Sequence, residues 1–278
     1  MKNDLTQRQK ALKIKRLIGI NPFYKFYANA IDSLNNDFFI TQIARQGLQE
    51  IREECKKKDA SVKYSIPVPS TTGITIKQEH RKSHIVEILK HSIKKDLFAA
   101  SVGNCVSITE QYLCDIIQII LKKYPHKITE DIVSNNAQKT DKKIEIKKII
   151  SATSLDEIIN NLIKQKISTL FYASPEEYFT YLKEVIGINF DELTIKNYIE
   201  IKATRDLLVH NKGKVNDIYI NKCKDAARVT DTKQNIPITE QYYIQSISVI
   251  KKIVRGIHEQ VSKTHLKLTN KRDIFLEL

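Results

Sequence analysis

The stretch VSITEQYLCDIIQIILKKY, residues 106–124, is apolar around most of a helix circumference. Its large apolar positions do not fall on a single stripe: Val106, Ile108, Tyr112, Leu113, Ile116, Ile117, Ile119 and Ile120. A helix that is apolar on most sides is buried on most sides. The stretch therefore predicts a central helix, the second half of a helical segment of about 81–124 that we expect to be broken near Ser101-Val102-Gly103.

Helical signals continue towards the C-terminus. From Thr239 onwards, apolar residues recur at alternating steps of four and three, which is the stripe that a bundle helix buries: Tyr243, Ile247, Ile250, Val254, Ile257 and Val261. The patterns Ser154-Leu-Asp-Glu157 and Ser174-Pro175-Glu-Glu177 are capping boxes that predict two further helix starts. The polar stretch 133–143 predicts a mobile loop.

The first 80 residues have a different character. Residues 5–18, 22–34 and 38–58 are candidate helices, whereas 61–80 alternates apolar with polar residues between prolines and Gly73. We therefore predict an all-α protein, an antiparallel helical bundle over 81–265. An N-terminal helical extension (1–60), a small hairpin or linker (61–80) and a tail (266–278) complete the predicted organisation.

Composition restricts the class of protein. The 46 basic and 32 acidic residues give a net charge of +14, which favours polyanionic partners, although an AT-rich genome would also enrich lysine. No run of about 18 apolar residues is present, so we expect a cytoplasmic protein without a membrane partner. The four cysteines form no C-x-x-C pair, which is typical of reduced, buried thiols.

Other candidate sites are weak. His80, His84, Glu87 and His91 fall within roughly 60° of one helix face, and the first two have the spacing of a zinc pair. A straight helix seldom surrounds a metal by itself, so we expect a solvated face here and no metal site. Glycine-rich phosphate loops are missing too, and we expect no cofactor. The isolated His126, His258 and His265 are predicted to lie on the surface.

The stretch RDLLVHNKG, residues 205–213, closes a helix that starts near Thr194, with Asn211 or Gly213 as the left-handed cap. Asp206 and His210 lie one turn apart on the same face, so the carboxylate can orient the imidazole and favour its charged form. Arg205 lies about 140° around the helix from His210. A salt bridge and a capping histidine would give the same spacing without any catalysis.

Residues 200–220, EIKATRDLLVHNKGKVNDIYI, resemble the signature region of the HEPN superfamily. That motif is an arginine, then Asn, Asp or His, three further residues and a histidine; Arg205, Asp206 and His210 match it. The following N-K-G-K-V-N run is similar to HEPN proteins related to anti-phage and toxin systems. Residues 96–124 resemble the family's first long helix and 239–264 its last, so the resemblance covers about 81–265.

This resemblance implies a metal-independent endoribonuclease of a toxin or anti-phage defence system, acting as a homodimer across a basic cleft. His210 would move a proton, Arg205 would neutralise the phosphorane and Asp206 would orient the ring. Candidate RNA contacts are Lys202, Lys212 and Lys214, and supporting candidates are Glu110 and Asn211. The implied partners are RNA, with tRNA typical of the family, and an antitoxin or another inhibitory or activating partner. The alternative is a non-catalytic HEPN module that binds RNA, a nucleotide or a protein.

Overall fold

Helix α4, Leu97–Lys123, is buried along its length in the computed structural model, which describes residues 6–130, 152–172 and 174–275. Its buried apolar side chains include Val102, Val106, Leu113, Ile116 and Ile120. The prediction of a central helix is therefore confirmed, and the described part of the chain is all-α apart from one two-stranded sheet.

The other elements are arranged around α4 in the following order. The helices are α1 Gln7–Ile20, α2 Tyr24–Lys57, α3 Lys82–His91, α5 Leu155–Tyr172, α6 Pro175–Tyr181, α7 Glu192–His210, α8 Asp217–Cys223, α9 Glu240–Leu266 and α10 Lys271–Ile274. The strands are β1 Lys63–Pro69 and β2 Thr75–Arg81, and short π-helical segments follow α3 (Ser92–Asp96) and α6 (Leu182–Ile186).

Helices α2, α4, α7 and α9 form one core. The predicted stripe of α9 is buried from Tyr243 to Val261, as expected. Lys123 donates to the carbonyl of His265, and the ring of Phe98 lies 5.7 Å from that of Tyr243, so α4 and α9 run parallel. Helices α2 and α7 run antiparallel to both, because their contacts occur in reverse chain order.

Helix α2 is continuous from Tyr24 to Lys57, so the predicted interruption between residues 34 and 38 is wrong. The intervening Asn35-Asn36-Asp37 has the composition of a turn, but other helices satisfy its side chains. Asp37 accepts hydrogen bonds from Asn104 and Tyr243, and Lys251 donates to Asn35 at 2.6 Å. Leu34 lies fully in the shared core, so the core extends into the predicted N-terminal extension.

The predicted break near Ser101-Val102-Gly103 is wrong, because the chain is helical without interruption from Lys82 to Lys123, with a π-helical segment at Ser92–Asp96. Ser101 is buried and its hydroxyl is bonded to that of Thr41 on α2. Gly103 lies under the side chain of Arg205, with room for close packing. These residues are small because α2 and α7 approach α4 closely there.

The segment 61–80 contains the predicted hairpin, in which Ile66 pairs with Gln78 and Val68 with Ile76. Gly73 supplies the left-handed conformation of its turn, with φ +80°. Both predicted helix starts are confirmed, since the hydroxyls of Ser154 and Ser174 accept from the backbone N–H groups of Glu157 and Glu177. The predicted loop 133–143 lies outside the described residues.

Two of the histidines predicted on the surface are buried, His258 and His265, whereas His126 is exposed. Residues after α9 turn back along the bundle, where the carbonyl of Ile274 lies 2.6 Å from Nε2 of His258. Burial lowers the pKa of His258 to about 4. Asn21 also donates to Ser262 at 2.8 Å and to Ile274 at 3.4 Å, so the segment after α9 is held against the start of α2.

Candidate active site

Helix α7 carries the motif at its C-terminal end. Asp191 begins the helix by accepting from the N–H of Thr194 at 2.8 Å, and hydrogen bonds from Lys252 and Thr194 hold the pKa of Asp191 well below its usual range. The helix ends at His210. Gly213 donates to the carbonyl of Leu207 at 2.9 Å with φ +79°, as predicted for the left-handed cap. Asn211 has φ −133° and does not supply that conformation.

Arg205 lies against α4, in contact with carboxylates on both sides. Its Nη2 lies 3.2 Å from Oε2 of Glu110, and its Nη1 lies 3.0 Å from Oδ1 of Asp206. The supporting role predicted for Glu110 therefore has a structural basis, because this carboxylate fixes the guanidinium. The arginine remains partly accessible, with about a quarter of its side chain exposed.

Lys202 does not lie where an RNA-contacting lysine is expected. It is buried, forms an ion pair with Glu110, and its ammonium lies 5.8 Å from the ring centre of Tyr178. Removing a charge from water is costly unless it is paired, so Glu110 compensates both Lys202 and Arg205. The prediction of Lys202 as a surface phosphate contact is wrong, because one turn before the motif this side of α7 faces the core.

Asp206 pairs with cations and not with the imidazole that it was predicted to orient. Its Oδ1 accepts from Arg205 and its Oδ2 lies 3.5 Å from Nζ of Lys222 on α8. Asp206 and His210 nevertheless line the same cavity between α7 and α8, of about 450 Å³, together with Asn211, Asn216 and Lys222. The carboxylate of Asp206 and the imidazole of His210 therefore share one cavity, in which Lys222 holds the carboxylate.

His210 is exposed at the mouth of this cavity, and the described residues offer it no hydrogen bond or ion pair. The carbonyl groups at the end of α7 favour a positive charge there. A ring with both nitrogens accessible and a cation beside it is suited to proton exchange with a bound phosphodiester. Two exposed apolar side chains flank it, Val209 (63% exposed) and Ile218 (64% exposed).

Further basic residues surround the end of α7. Lys212 and Lys214 are exposed, as predicted for RNA contacts, and Asn211 fixes this loop by donating to the carbonyl of Lys214 at 2.6 Å. Sequence reasoning missed Lys222 and Lys95, whose Nζ lies 3.7 Å from the position that a side chain at Gly213 would begin to fill. Lys95 is distant in sequence and nothing in its local pattern marks it. Lys222 had a signal, since Asn216-Asp217 predicts the cap of a short helix that returns over α7.

A buried carboxylate holds α8 and the following loop against α7. Glu200 accepts hydrogen bonds from Tyr219, Tyr242 and Arg228 at 2.9, 2.9 and 2.8 Å. The guanidinium of Arg228 also lies 3.5 Å from the ring centre of Tyr242. Burial, followed by the charge of Glu200, raises the pKa values of Tyr219 and Tyr242. Both phenols are therefore neutral donors at physiological pH, and the network fixes the wall of the His210 cavity.

The prediction that His80 shares one helix face with His84, Glu87 and His91 is wrong, because His80 lies on β2 and the other three lie on α3. The rings of His80 and His84 are 5.2 Å apart with an interplanar angle of 22°. Within the described ranges, no three His, Cys, Asp or Glu side chains are placed to hold a metal ion. Over the same ranges, no helix combines the length and the apolarity needed to cross a membrane.

Neither a protein-family model, nor a curated protein, nor a solved structure matches this chain significantly.

Proposed function

We propose that the protein is a metal-independent endoribonuclease of the HEPN type, belonging to a toxin or anti-phage defence system. The observation that supports this most is the exposed, unpaired His210 in the same cavity as Asp206 and Lys222. Arginine and lysine side chains stabilise the negative charge that develops on a phosphodiester during cleavage, and a histidine can transfer the protons. The motif Arg205-Asp206-x-x-x-His210 and its place at the end of a buried helix support the same proposal.

In the proposed reaction, a 2′-hydroxyl of RNA attacks the adjacent phosphorus and the 5′-oxygen leaves. His210 removes the proton from the hydroxyl or supplies one to the leaving oxygen, and cationic side chains balance the charge of the phosphorane. The product strand then ends in a 2′,3′-cyclic phosphate. Lys212 and Lys214 would position the RNA backbone without reading its sequence, with tRNA as the substrate class that the resemblance suggests.

The site is proposed to be completed by a second copy of the chain. Arg205 pairs with Glu110 of α4, whereas His210 lines the cavity between α7 and α8, so the two groups lie on different sides of α7. Two α7 ends packed about a two-fold axis would place the arginine of one chain beside the histidine of the other. The exposed Val209 and Ile218 lie where such a contact would form. An antitoxin or another partner would restrain this activity in the cell.

One observation favours the alternative, a non-catalytic module that binds RNA, a nucleotide or a protein. The guanidinium of Arg205 is already paired with Glu110 and Asp206, so it is partly neutralised in the single chain. A binding module would need this arginine only as a structural ion pair.

The proposal is tested by incubating the purified protein with total cellular RNA in EDTA, beside a His210→Ala variant. The expected result is cleavage by the wild-type protein alone, with products whose 3′ ends resist ligation until the cyclic phosphate is opened and the resulting monophosphate is removed. His126→Ala is the matched control, because His126 is an exposed histidine far from the motif in sequence. Equal cleavage by wild type and His210→Ala, or products with free 3′-hydroxyl ends, would contradict the proposal. RNA binding without any cleavage would favour the alternative.

A further inference from the structure

Helix α1 is a strongly basic element. Within 14 residues it carries no acidic side chain and five basic ones: Arg8, Lys10, Lys13, Lys15 and Arg16. None of the five forms an ion pair with a described residue, whereas many exposed lysines elsewhere do, for example Lys63 with Glu79 and Lys196 with Asp225. The charge of α1 is therefore uncompensated within the described part of the molecule.

The charge of α1 also opposes its own helix dipole. Arg8 and Lys10 lie in the first turn, where an acidic residue would be favourable and none is present. A cation at an exposed helix N-terminus interacts unfavourably with the helix dipole. The neutral capping box of Thr6 and Gln9 satisfies backbone groups there without adding a negative charge. An anionic partner bound to these basic side chains would offset their unfavourable interaction with the helix dipole.

The segment after α9 adds to the same surface. Helix α10 packs against α1, and its Lys271 and Arg272 are exposed. Of the described acidic residues on this side, Glu259, which interacts with Lys271, already pairs with Lys263 at 2.6 Å, and Asp273 of α10 is half-buried. We define the α1–α10 surface by six exposed basic residues: Arg8, Lys13, Lys15, Arg16, Lys271 and Arg272.

The distribution of charge on α1 favours a nucleic acid over a membrane. Arg8, Lys13, Lys15 and Arg16 spread over about 160° of its outer circumference. The buried Leu17 and the half-buried Ile18 face the protein, and among the outward positions Leu12 is surrounded by cations. A membrane-surface helix needs a continuous outward apolar face with Trp, Phe or Leu, which α1 does not present. Dispersed cations are instead what a phosphate backbone requires.

From these observations we propose that the α1–α10 surface binds the phosphodiester backbone of nucleic acid, as a docking site separate from the motif. The separation follows from α9. Asn21, directly after α1, bonds to Ser262 near the end of α9, whereas Gly213 bonds to Ile236 just before its start. Glu240 and Ser262 are 22 positions apart on this helix, a distance of about 33 Å. The proposal therefore goes beyond the nuclease site and does not depend on His210.

The test is fluorescence anisotropy with a short labelled single strand, made once as DNA and once as 2′-O-methyl RNA, neither of which has a 2′-hydroxyl to attack. The Lys13→Gln, Arg16→Gln double variant removes two charges from the surface. If each residue contacts one phosphate, the slope of log K against log salt falls by about 1.4, and binding weakens about 25-fold near 0.1 M salt. The loss should be similar for both strands because the phosphates are shared.

Two further variants make the result specific. Lys77→Gln, Lys164→Gln removes the same charge from exposed, unpaired lysines of β2 and α5, and should leave the slope unchanged. Lys13→Arg, Arg16→Lys keeps the charge and should keep the affinity. Equal losses in the Lys13/Arg16 and Lys77/Lys164 glutamine variants would overturn the proposal, because they would show a response to net charge alone. Dependence on Lys13 and Arg16 only for phosphatidylserine vesicles would overturn it in favour of a membrane.

Discussion

At the scale of single residues, Asp206 is the link between the two sides of the motif. One carboxylate oxygen accepts from Arg205 on the α4 side, and the other lies 3.5 Å from Lys222 on the cavity side. The contact with Lys222 is long and the ammonium is 40% exposed, so a phosphate entering the cavity can attract it. Lys222 is thus the cation most accessible to a ligand beside His210.

We predict that Lys222→Gln weakens cleavage mainly through substrate binding. The loss of one charge-assisted contact at a partly exposed site corresponds to a decrease of about tenfold in kcat/KM, with most of the change in KM. Steady-state cleavage of a fluorogenic RNA measures both constants. Lys224→Gln is the matched control, since Lys224 pairs with Glu176 and does not line the His210 cavity. Equal KM values for the two variants would remove Lys222 from the site.

The motif residues were predictable from spacing, whereas Glu110 was identified only through the resemblance and Lys222 was not identified. Spacing on one helix places Asp206 and His210 on a common face, and both do line one cavity. Arg205 pairs with Glu110, which is 95 positions away in the sequence, and no local sequence pattern predicts a contact over that separation. Lys202 was misplaced for a related reason: α7 is buried on several sides, so its sequence shows no clean polar face.

At the scale of elements, α7 ends in two consecutive left-handed residues, Lys212 (φ +52°) and Gly213. Gly213 has φ +79°, and a side chain there would begin 3.4 Å from Leu208 and 3.7 Å from Nζ of Lys95. We predict that Gly213→Ala lowers the free energy of unfolding by about 1–2 kcal/mol, since L-residues disfavour this conformation. Urea denaturation measures the change.

Gly47 provides the opposite case within α2. It has helical neighbours on both sides and no atom within 4 Å of an added Cβ, so Gly47→Ala should raise the free energy of unfolding by about 0.5–1 kcal/mol. The two glycines thus form a matched pair measured by the same denaturation. If Gly213→Ala raised the free energy of unfolding, the loop after His210 would not need glycine at position 213.

Elements were predictable where burial follows a simple period. The α9 stripe has one buried face and was identified from spacing alone, and the hairpin was marked by prolines and glycine. The continuity of α2 was not predictable, because Asp37 in a turn-like run is satisfied by Tyr243, 206 residues later. Local propensity favours a break in the helix there, but the long-range hydrogen bond stabilises the continuous helix.

At the scale of the whole molecule, a neutral buried histidine ties the segment after α9 to the start of α2. The ring of His258 stacks on Tyr27 at 4.3 Å and bonds to the carbonyl of Ile274. Because burial lowers its pKa from 6.5 to about 4, the unfolded chain binds the proton more readily than the folded one. The contribution of this histidine to the free energy of unfolding is therefore fully present above pH 6.5, and it is lost as the pH falls from 6.5 towards 4.

We predict that this histidine accounts for about 2–3 kcal/mol of the stability lost between pH 7 and about pH 4.5. The His258→Phe variant, which cannot titrate, should lose that much less than wild type over the same interval. Urea unfolding at both pH values measures the loss of stability in each protein. Comparing these two losses removes the effect that the substitution itself has on stability at neutral pH. Equal losses in wild type and variant would contradict the prediction.

The assembly of the proposed nuclease is predicted to involve two chains. Leu207 is buried, Leu208 is half-buried and Val209 is 63% exposed, so apolar surface continues outward from the motif. If the site is shared, mixing inactive Arg205→Ala with inactive His210→Ala protein should restore a fraction of wild-type cleavage. Restoration is partial because one of the two composite sites lacks both residues. Full activity of a species with the mass of one chain would exclude a shared site.

The bond between Asn21 and Ser262 has a consequence for synthesis on the ribosome. These residues are 241 positions apart, so about 12–48 s of translation separate their appearance. Until α9 emerges, Leu34 and Val106 belong to a core that lacks one of its four long helices. The arginine and histidine of the motif are made before the Tyr242 hydroxyl that helps hold the cavity wall. The nascent chain thus carries the residues of the proposed nuclease site before all the contacts that hold that site have been made.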